Sequence, residues 1–256
     1  MRQIIDLSIP IDAFTPADPP FQVPVIDYVA HDRGAEVLCA QFPGLSRQDL
    51  PGGHGWAVET LTLSTHNGTH LDAPWHYHPT MNGGERAWTI DEVPLNWCYQ
   101  PGVKLDFRHF PDGYIVTPAD IDTELERIGC TLSPLQIVLV NTSAGAAFGA
   151  KDYIDRGCGV GREATLHLLD MGVRVTGTDG WSWDAPFSAT ASRYAESGDA
   201  SIIWEGHKAG KDRAYCHLEK LTNLDSLPST GFDVICLPVK VAAGSAGWTR
   251  AVAILS

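Results

Sequence analysis

A cluster of potential metal ligands between residues 66 and 76 constrains this chain more than any other feature of its sequence. His66, His70, Asp72 and His76 fall within eleven positions. Imidazole nitrogens and carboxylate oxygens are the ligands that zinc, manganese and iron prefer in proteins. The alternative is a polar surface turn whose histidines face solvent, but so many ligand-type side chains in so short a stretch favour a metal site.

The residues between these ligands argue against a helix. His66 and His70 would share a helix face, as in the H-E-x-x-H metalloproteases. However, residues 67–69 read Asn-Gly-Thr and a proline follows within one turn of the last of them, which disfavours a helix. On a straight strand the ligands would spread over roughly 20 Å, too far for one ion. We therefore predict a strand that runs into a loop bent at Gly68, since glycine tolerates the backbone angles of such a bend.

These residues carry a resemblance to a known family. Residues 66–76 read His-Asn-Gly-Thr-His-Leu-Asp-Ala-Pro-Trp-His, and they match every fixed position of H-x-G-T-H-x-D-x-P-x-H. That signature is typical of the cyclase / bacterial kynurenine formamidase-like superfamily of metal-dependent hydrolases, which includes isatin hydrolase. Strands that alternate with few helices already predict a mixed α/β chain. The resemblance further implies an α/β fold of the swivelling β/β/α type, with a mixed sheet or barrel-like core.

A second set of candidate ligands lies far along the chain. His207 and Glu219 are twelve positions apart, and Glu219 opens a segment of the form E-x-L-x-N-L. The superfamily has a late histidine and glutamate at this spacing, so the resemblance implies that both are ligands, with His217 as the rival histidine. The implied cofactor is Zn²⁺ or Mn²⁺, one or two ions per chain. His66, His70 and Asp72 would hold the first ion, and Asp72 would bridge to a second one.

His76 is the candidate catalytic residue. Spacing alone leaves it open as a ligand, and the resemblance favours the role of general base and then general acid. An unperturbed imidazole pKa near 6.5 suits both roles at neutral pH. The contrasting hypothesis is a non-catalytic protein of the same fold that binds a metal or a small molecule, and the presence of His76 favours an enzyme.

The predicted reaction is hydrolysis of a C–N bond other than a peptide bond, in a small-molecule substrate. The resemblance implies a small cyclic or aryl amide like isatin, a cyclic imide or N-formylkynurenine, with a dienelactone-type lactone as the alternative. Five aromatic residues are candidates for binding it, although a hydrophobic lid or core packing would explain each equally well: Phe14, Phe21, Trp75, Trp181 and Trp183. Asp179 and Asp184 suit either paired acid/base carboxylates or turn hydrogen bonds.

Composition excludes several other classes of protein. The 256 residues suit one domain spanning 1–256, and the net charge of −13 argues against binding to nucleic acid or anionic lipid. No apolar run approaches the length of a membrane-spanning helix. The six cysteines are scattered without a C-x-x-C pair, which favours reduced thiols and, with no signal-like start, the cytoplasm. No motif indicates a serine or cysteine nucleophile.

The pattern of apolar residues and turn formers predicts the main elements. Strands are expected at 3–11, 23–28, 56–64, 102–107, 137–141, 173–177 and 234–241. A helix should begin at Pro118 behind Thr117 and stop at Gly129, and another should span 161–171, with a short helical segment at 152–156. Segments 31–56 and 80–100 are predicted as long loops, which tend to form lids or oligomer contacts. The resemblance implies a homodimer or homotetramer.

Overall fold

A mixed sheet of nine strands organises the chain, which a computed structural model describes from residue 2 to residue 255. The strands are β1 Gln3–Asp6, β2 Val25–Val29, β3 Val58–Thr62, β4 His70–Asp72, β5 Thr80–Met81, β6 Glu85–Arg86, β7 Tyr99–Asp106, β8 Ile115–Val116, β9 Ile137–Asn141, β10 Gly159–Val160, β11 Val175–Thr178, β12 Cys216–Glu219, β13 Phe232–Ile235, β14 Ala246–Trp248 and β15 Val252–Leu255. The α-helices are α1 His31–Gln41, α2 Pro74–Tyr77, α3 Pro118–Arg127, α4 Arg162–Asp170, α5 Phe187–Ser197 and α6 Glu205–Asp212.

The order of strands in the large sheet is β1-β15-β13-β7-β9-β11-β12-β4-β14. Strands β7, β9, β11 and β12 run parallel, and every other neighbouring pair is antiparallel. The two ends of the described chain meet here, because Gln3 of β1 lies opposite Leu255 of β15. The predicted mixed α/β architecture is confirmed, and the sheet curls into a half-barrel.

Strand β9 shows where the core lies. Its alternate residues point to opposite faces of the sheet: Ile137 and Leu139 join one hydrophobic cluster, while Val138 and Val140 join another. All four side chains are completely buried, which explains the unbroken β-branched and apolar run in the sequence. Truncation of Leu139 to alanine is expected to cost about 2–5 kcal/mol of stability because the core cannot fully close the cavity.

Helices α3 and α4 follow their sequence signals. Thr117 accepts a hydrogen bond from the backbone N–H of Asp120, whose carboxylate accepts one in return from the Thr117 N–H. Pro118 occupies the first helical position, and Gly129 takes the left-handed conformation just after the helix, with φ of 62°. Helix α4 likewise lies within the predicted segment 161–171.

Three sequence predictions require correction. Segment 31–56 is not a loop throughout, because α1 occupies residues 31–41. Its N-cap, Ala30, offers no side-chain oxygen, so the usual signal for a helix start is missing. Close packing explains Gly34 in this helix, since a Cβ there would lie 1.8 Å from the Trp56 carbonyl oxygen. Strand β1 ends at residue 6 and β13 at residue 235, so both are shorter than predicted.

A two-stranded ribbon of β2 and β3 stands apart from the large sheet. It confirms the predicted strands at 23–28 and 56–64 and precedes the ligand-rich segment directly. Segment 80–100 contains the short hairpin of β5 and β6, single turns of 3-10 helix at Ile90–Glu92 and Leu95–Trp97, and the start of β7. All six cysteines are free thiols, as predicted. Within residues 2–255, no helix is both long enough and apolar enough to cross a membrane.

Candidate metal centre

Two neighbouring strands place four ligand-type side chains on one face of the sheet. Strand β4 pairs antiparallel with β12, so that Asp72 lies opposite His217 and His70 lies opposite Glu219. Alternate residues of a strand share a face, and directly opposed residues have Cβ atoms about 5 Å apart. The register of this strand pair therefore brings two imidazoles and two carboxylates together, without any contribution from a loop.

Gly68 turns the chain so that His66 joins this group. It has a φ of 61°, and a Cβ there would lie 2.8 Å from Ile11 Cγ1, so both conformation and space require glycine. His66 Nδ1 lies 2.9 Å from Asp72 Oδ1. The predicted bend is confirmed, with one correction: the strand that carries His70 and Asp72 follows the bend, whereas the sequence suggested a strand that enters it.

His76 lies on the open side of the cluster. It belongs to the single turn of α2, which Pro74 begins. Its Nε2 lies 3.8 Å from Asp72 Oδ2, and its ring centroid lies 4.0 Å from that of His66. The side chains of His76 and His66 are 22% and 21% exposed, whereas Asp72 is completely buried. A small molecule therefore reaches the cluster from the side of these two histidines.

Helix α6 delivers His207. Asp184 holds it by accepting hydrogen bonds from the backbone N–H groups of Gly206 and His207, at 2.7 and 3.1 Å, and from the His207 Nδ1. His207 Nε2 then lies 3.5 Å from Glu219 Oε1. Asp184 thus orients a candidate ligand. Asp179 has a separate partner, since it accepts hydrogen bonds from the backbone and hydroxyl of Thr142. The two carboxylates therefore do not act as a pair.

The structure brings His217 into the cluster beside His207, rather than as its rival. His217 Nε2 lies 3.0 Å from Asp72 Oδ2 and 3.2 Å from Glu219 Oε1. The sequence contained a signal for this position, because His217 and Glu219 are two residues apart and share one face of a strand. Recognising it required knowing that residues 216–219 form a strand, which the sequence analysis did not predict.

His70 and His207 turn the same nitrogen, Nε2, toward the cluster. The Nδ1 of His70 lies 2.9 Å from the Gly68 carbonyl oxygen, and that of His207 contacts the Asp184 carboxylate. These partners accept and cannot donate, so Nδ1 carries the proton and Nε2 presents a lone pair. His66 has the opposite arrangement. Its Nε2 lies 3.0 Å from Ser245 Oγ, and its Nδ1 faces Asp72.

The buried polar atoms fit a bound cation. Among residues 2–255, both carboxylate oxygens of Asp72 and the Nε2 atoms of His70 and His217 are buried without a hydrogen-bond partner. A buried carboxylate without a partner costs several kcal/mol, which a divalent cation would offset. Two groups of residues share Asp72, and the donor atoms within each group all lie within 4.8 Å of one another. One group is Asp72, His207, His217 and Glu219, and the other is His66, Asp72 and His76.

The charges of the site favour positive charge at its centre. Burial acts to raise the pKa of Asp72, but His76, His70 and His66 hold that pKa well below its usual range. Burial acts on Glu219 in the same way, and the neighbouring His217 imidazole keeps the Glu219 pKa low. Burial lowers the pKa of His76 to about 3, against the opposing effect of Asp72. Two ionised carboxylates therefore face a neutral His76.

The five candidate substrate-binding aromatics lie in different surroundings, and their role stays a prediction. Trp183 is buried, stacks on His217 and donates from Nε1 to Thr165. The Trp181 Nε1 donates to Asp18. Phe14 and Phe21 are 85% and 84% exposed, and Trp75 is 41% exposed.

Trp204, an aromatic residue that the sequence analysis missed, lies beside the catalytic candidate His76. It stacks on His207 at 4.4 Å between centroids and meets His76 edge-on at 5.0 Å. Its backbone is left-handed, with φ of 59°, a strained conformation that clusters at functional sites.

One family of known proteins matches most of the chain. The model of the Cyclase family, "Putative cyclase", matches residues 5–185. The chain belongs to this family. It is 30% identical over 195 residues to the kynurenine formamidase of Maricaulis maris (strain MCS10), a match that covers 76% of this chain and 79% of that one.

Solved structures of similar fold extend the comparison to nearly the whole chain. An isatin hydrolase bound to the product analogue thioisatinate superposes with a TM-score of 0.76 at 18% identity, covering 99% of this chain and 92% of that chain. Isatin hydrolase A of Labrenzia aggregata, bound to benzyl benzoate, gives 0.72 at 25% identity, covering 99% and 94%. A potential metal-dependent hydrolase with cyclase activity gives 0.68 at 19% identity, covering 100% and 99%.

The named relatives support the expectation of an enzyme. Kynurenine formamidases and isatin hydrolases are hydrolases that act on C–N bonds other than peptide bonds. The family match ends at residue 185, so it covers His66, His70, Asp72 and His76 and leaves out the later part of the cluster. The geometry alone brings that later part, which is carried by α6 and β12, to the same place.

Proposed function

We propose that this chain is a metal-dependent hydrolase that opens or cleaves a small cyclic or aryl amide. The observation that carries the proposal is the buried cluster of carboxylates and imidazoles around Asp72, with His76 at its open edge. Both Asp72 oxygens and the Nε2 atoms of His70 and His217 are buried there without a hydrogen-bond partner among residues 2–255. The relatives named above, which act on C–N bonds, support the choice of an amide over a lactone.

The proposed ligands are His66, His70, Asp72, His207 and Glu219, for Zn²⁺ or Mn²⁺. A bound divalent cation would polarise the substrate carbonyl and lower the pKa of water from 15.7 towards about 7. Asp72 would be shared between two positions, because both groups of donor atoms contain it. Asp184 and the Gly68 carbonyl would keep the Nε2 lone pairs of His207 and His70 directed at the centre.

His76 would move the proton. Water adds to the carbonyl carbon as His76 takes its proton, and the C–N bond then breaks as His76 returns that proton to the leaving nitrogen. The low pKa of His76 leaves its lone pair free but makes the ring a weak base, so proton transfer to it would require the acidified water that a bound cation would supply. For the same reason the protonated ring is a strong acid towards the leaving group.

The position of Trp204 favours a flat substrate that carries an aryl group. Its ring meets His76 edge-on, and it also lines a largely apolar cavity of about 570 Å³ together with Phe187, Tyr194 and Ile203. Aromatic rings pair favourably in edge-to-face and offset arrangements. We propose that the aryl group of the substrate packs against Trp204 while its carbonyl faces the cluster.

Replacement of His76 by alanine tests the proposed function. The His76→Ala variant should retain bound metal and lose hydrolysis of isatin, N-formylkynurenine or cyclic imides by at least about 100-fold in kcat. His167→Ala is the matched control, because His167 lies at the surface, where it pairs with Asp122. Equal turnover in His76→Ala and the control would contradict the proposed role, and hydrolysis of dienelactones alone would favour the lactone alternative.

We also propose that the chain forms a homodimer or homotetramer through the ribbon of β2 and β3 and the segments beside it. Large apolar side chains are exposed along this region: Phe14, Phe21, Val25, Tyr28, Phe42, Val58 and Leu61. A two-stranded ribbon is marginal alone, and apolar patches of this kind mark interfaces. Sedimentation analysis of the wild type and of Phe21→Ser with Leu61→Ser should show dissociation in the variant, and a monomeric wild type would contradict the proposal.

A further inference from the structure

We propose that His217 is itself a metal ligand and completes a second metal position with Asp72, His207 and Glu219. This inference rests on the proposed function, since it assumes that the cluster binds a divalent cation. It assigns a residue outside the ligand set that the sequence implied. The second position would then consist of two imidazoles and two carboxylates, all of them from this one chain.

The separations between the donor atoms suit one ion. Four ligands at about 2.0–2.1 Å from a tetrahedral ion lie about 3.3–3.4 Å from one another. His217 Nε2 is 3.0 Å from Asp72 Oδ2 and 3.2 Å from Glu219 Oε1. His207 Nε2 is 3.5 Å from the same Glu219 oxygen and 4.0 Å from Asp72 Oδ2. The observed values bracket the ideal one, and shifts of a few tenths of an ångström would meet it.

The closeness of these atoms is not explained by hydrogen bonds between them. Among residues 2–255, His217 Nε2 and both oxygens of Asp72 have no hydrogen-bond partner and no contact with solvent. His217 and Asp72 are completely buried, and Glu219 is 7% exposed. Atoms that lie 3 Å apart without pointing at one another are arranged around a common point.

The surroundings of His217 fix which of its nitrogens faces that point. Its Nδ1 lies 3.3 Å from the hydroxyl oxygens of Tyr77 and Tyr215. The Tyr77 hydroxyl donates its proton to the Asp72 carbonyl, and the Tyr215 hydroxyl donates to the Gly206 carbonyl. Each hydroxyl has one proton, so both can only accept from His217. The Nδ1 therefore carries a proton, and Nε2 faces two carboxylates.

Two carboxylates that face Nε2 favour a cation between them, either a metal ion or a proton on Nε2 itself. Burial acts to lower the pKa of His217, but Asp72 and Glu219 raise it to about 9, so without a metal ion the imidazolium would be that cation. A proton on His217 would leave unexplained why His207 turns its own Nε2 toward the same two carboxylates. The convergence of four donor atoms therefore favours a metal ion, which would displace the proton.

Packing holds the His217 ring in place. Tyr77 lies parallel to it at 5.0 Å between centroids, and Trp183 lies parallel at 6.0 Å. This explains why Trp183 is buried rather than exposed in a pocket. Because the ring is fixed by its stacked neighbours, a phenylalanine can replace it in shape while offering no ligand atom. This gives a variant that separates loss of a ligand from loss of packing.

Metal counting tests the inference. Wild type, His217→Phe, His217→Gln and the control His167→Ala are equilibrated with buffered Zn²⁺, and ions per chain are measured by elemental analysis. The wild type and the control should bind two ions. Both His217 variants should keep one ion and bind the second at least about tenfold more weakly. The absorption spectrum of the Co²⁺-loaded protein should change in the same variants, which is a readout independent of activity.

Each result that contradicts the inference has a different meaning. Two ions bound with unchanged affinity and an unchanged Co²⁺ spectrum in His217→Phe would show that His217 is not a ligand. One ion in wild type and variants alike would assign His217 the role of a protonated partner and overturn the inference. A wild type that binds no ion would overturn the proposed function together with it. If neither variant folds, ¹⁵N spectra of histidine-labelled wild type decide, since Nε2 of His217 must shift when Zn²⁺ is added.

Discussion

The Lys220 ammonium donates hydrogen bonds both to the Asp18 carboxylate and to the backbone carbonyl of His66, the latter at 2.7 Å. Both side chains of this ion pair are almost completely buried. Asp18 also accepts hydrogen bonds from Asn67 and Trp181. One buried ion pair therefore ties the proline-rich segment near the N-terminus to the ligand-bearing turn, and it places β12, which precedes Lys220, beside both.

Replacement of Asp18 by asparagine should destabilise the protein markedly. It leaves Lys220 charged and buried without its partner, and removal of one member of a buried ion pair costs about 3–5 kcal/mol. Urea unfolding at pH 7 measures the effect. Asp32→Asn is the control, because that carboxylate is 72% exposed in its pair with Arg47 and should change stability by less than about 1 kcal/mol. A similar small change in Asp18→Asn would contradict this account.

Replacement of Asp184 by asparagine should weaken metal binding without removing a ligand. Asp184 accepts hydrogen bonds from His207 and from the first turn of α6. Partners of this kind orient a ligand and typically change metal affinity by about 10–100-fold. Competition with a chelator of known affinity measures the change. Asp212→Asn, an exposed position at the end of the same helix, should bind metal as the wild type does, and equal affinity of all three proteins would refute the role.

Stability should fall as pH rises because of Asp179. Burial raises the pKa of this carboxyl from 3.8 to about 7, even though hydrogen bonds from Thr142 act to lower it. The folded protein then binds more protons than the unfolded chain between these values, so this group destabilises the fold progressively from about pH 4 to pH 7. From pH 5 to pH 8 the loss is roughly 3 kcal/mol.

The Asp179→Asn variant checks this expectation. It lacks the titrating group, so the difference in its free energy of unfolding between pH 5 and pH 8 should be smaller than in the wild type by about that amount. Asp122→Asn, at a largely exposed carboxylate, should keep the dependence of the wild type. A parallel pH dependence in Asp179→Asn and the wild type would show that Asp179 is ionised throughout this range.

Trp204 should determine preference for aryl substrates. Trp204→Ala is expected to raise KM about tenfold for isatin or another aryl amide, because the aryl group of the substrate loses its contact with the indole ring. It should change KM little for a cyclic imide without an aromatic ring, and Trp204→Phe should largely restore the aryl preference. Equal loss on both substrates, or loss confined to kcat, would instead indicate that Trp204 acts only by supporting His207 and His76.

The part of the site that is local in sequence was predictable, and the part that depends on strand pairing was not. His66, His70, Asp72 and His76 lie within eleven residues, and the glycine between them indicated the bend. His207 and Glu219 came from a family resemblance. His217 depends on the register of β4 with β12, which single-sequence patterns do not specify.

The helices divide in the same way. Helix α3 carries a full capping box and a proline at its first position, and its start was predicted to the residue. Helices α1, α5 and α6 begin behind Ala30, Pro186 and Trp204, and none of these residues offers a side-chain cap. The starts of these helices depend on packing, including the strained backbone of Trp204. The local sequence therefore does not indicate where they begin.

Removal and restoration of the metal tests the central claim most directly. The protein is stripped with a chelator, dialysed and titrated with Zn²⁺ or Mn²⁺, and hydrolysis of isatin and N-formylkynurenine is followed alongside ions bound per chain. We predict that the stripped protein is inactive and that turnover of an amide substrate rises in proportion to bound metal. Full activity in the metal-free protein, or no hydrolysis of any amide after metal is restored, would contradict the account.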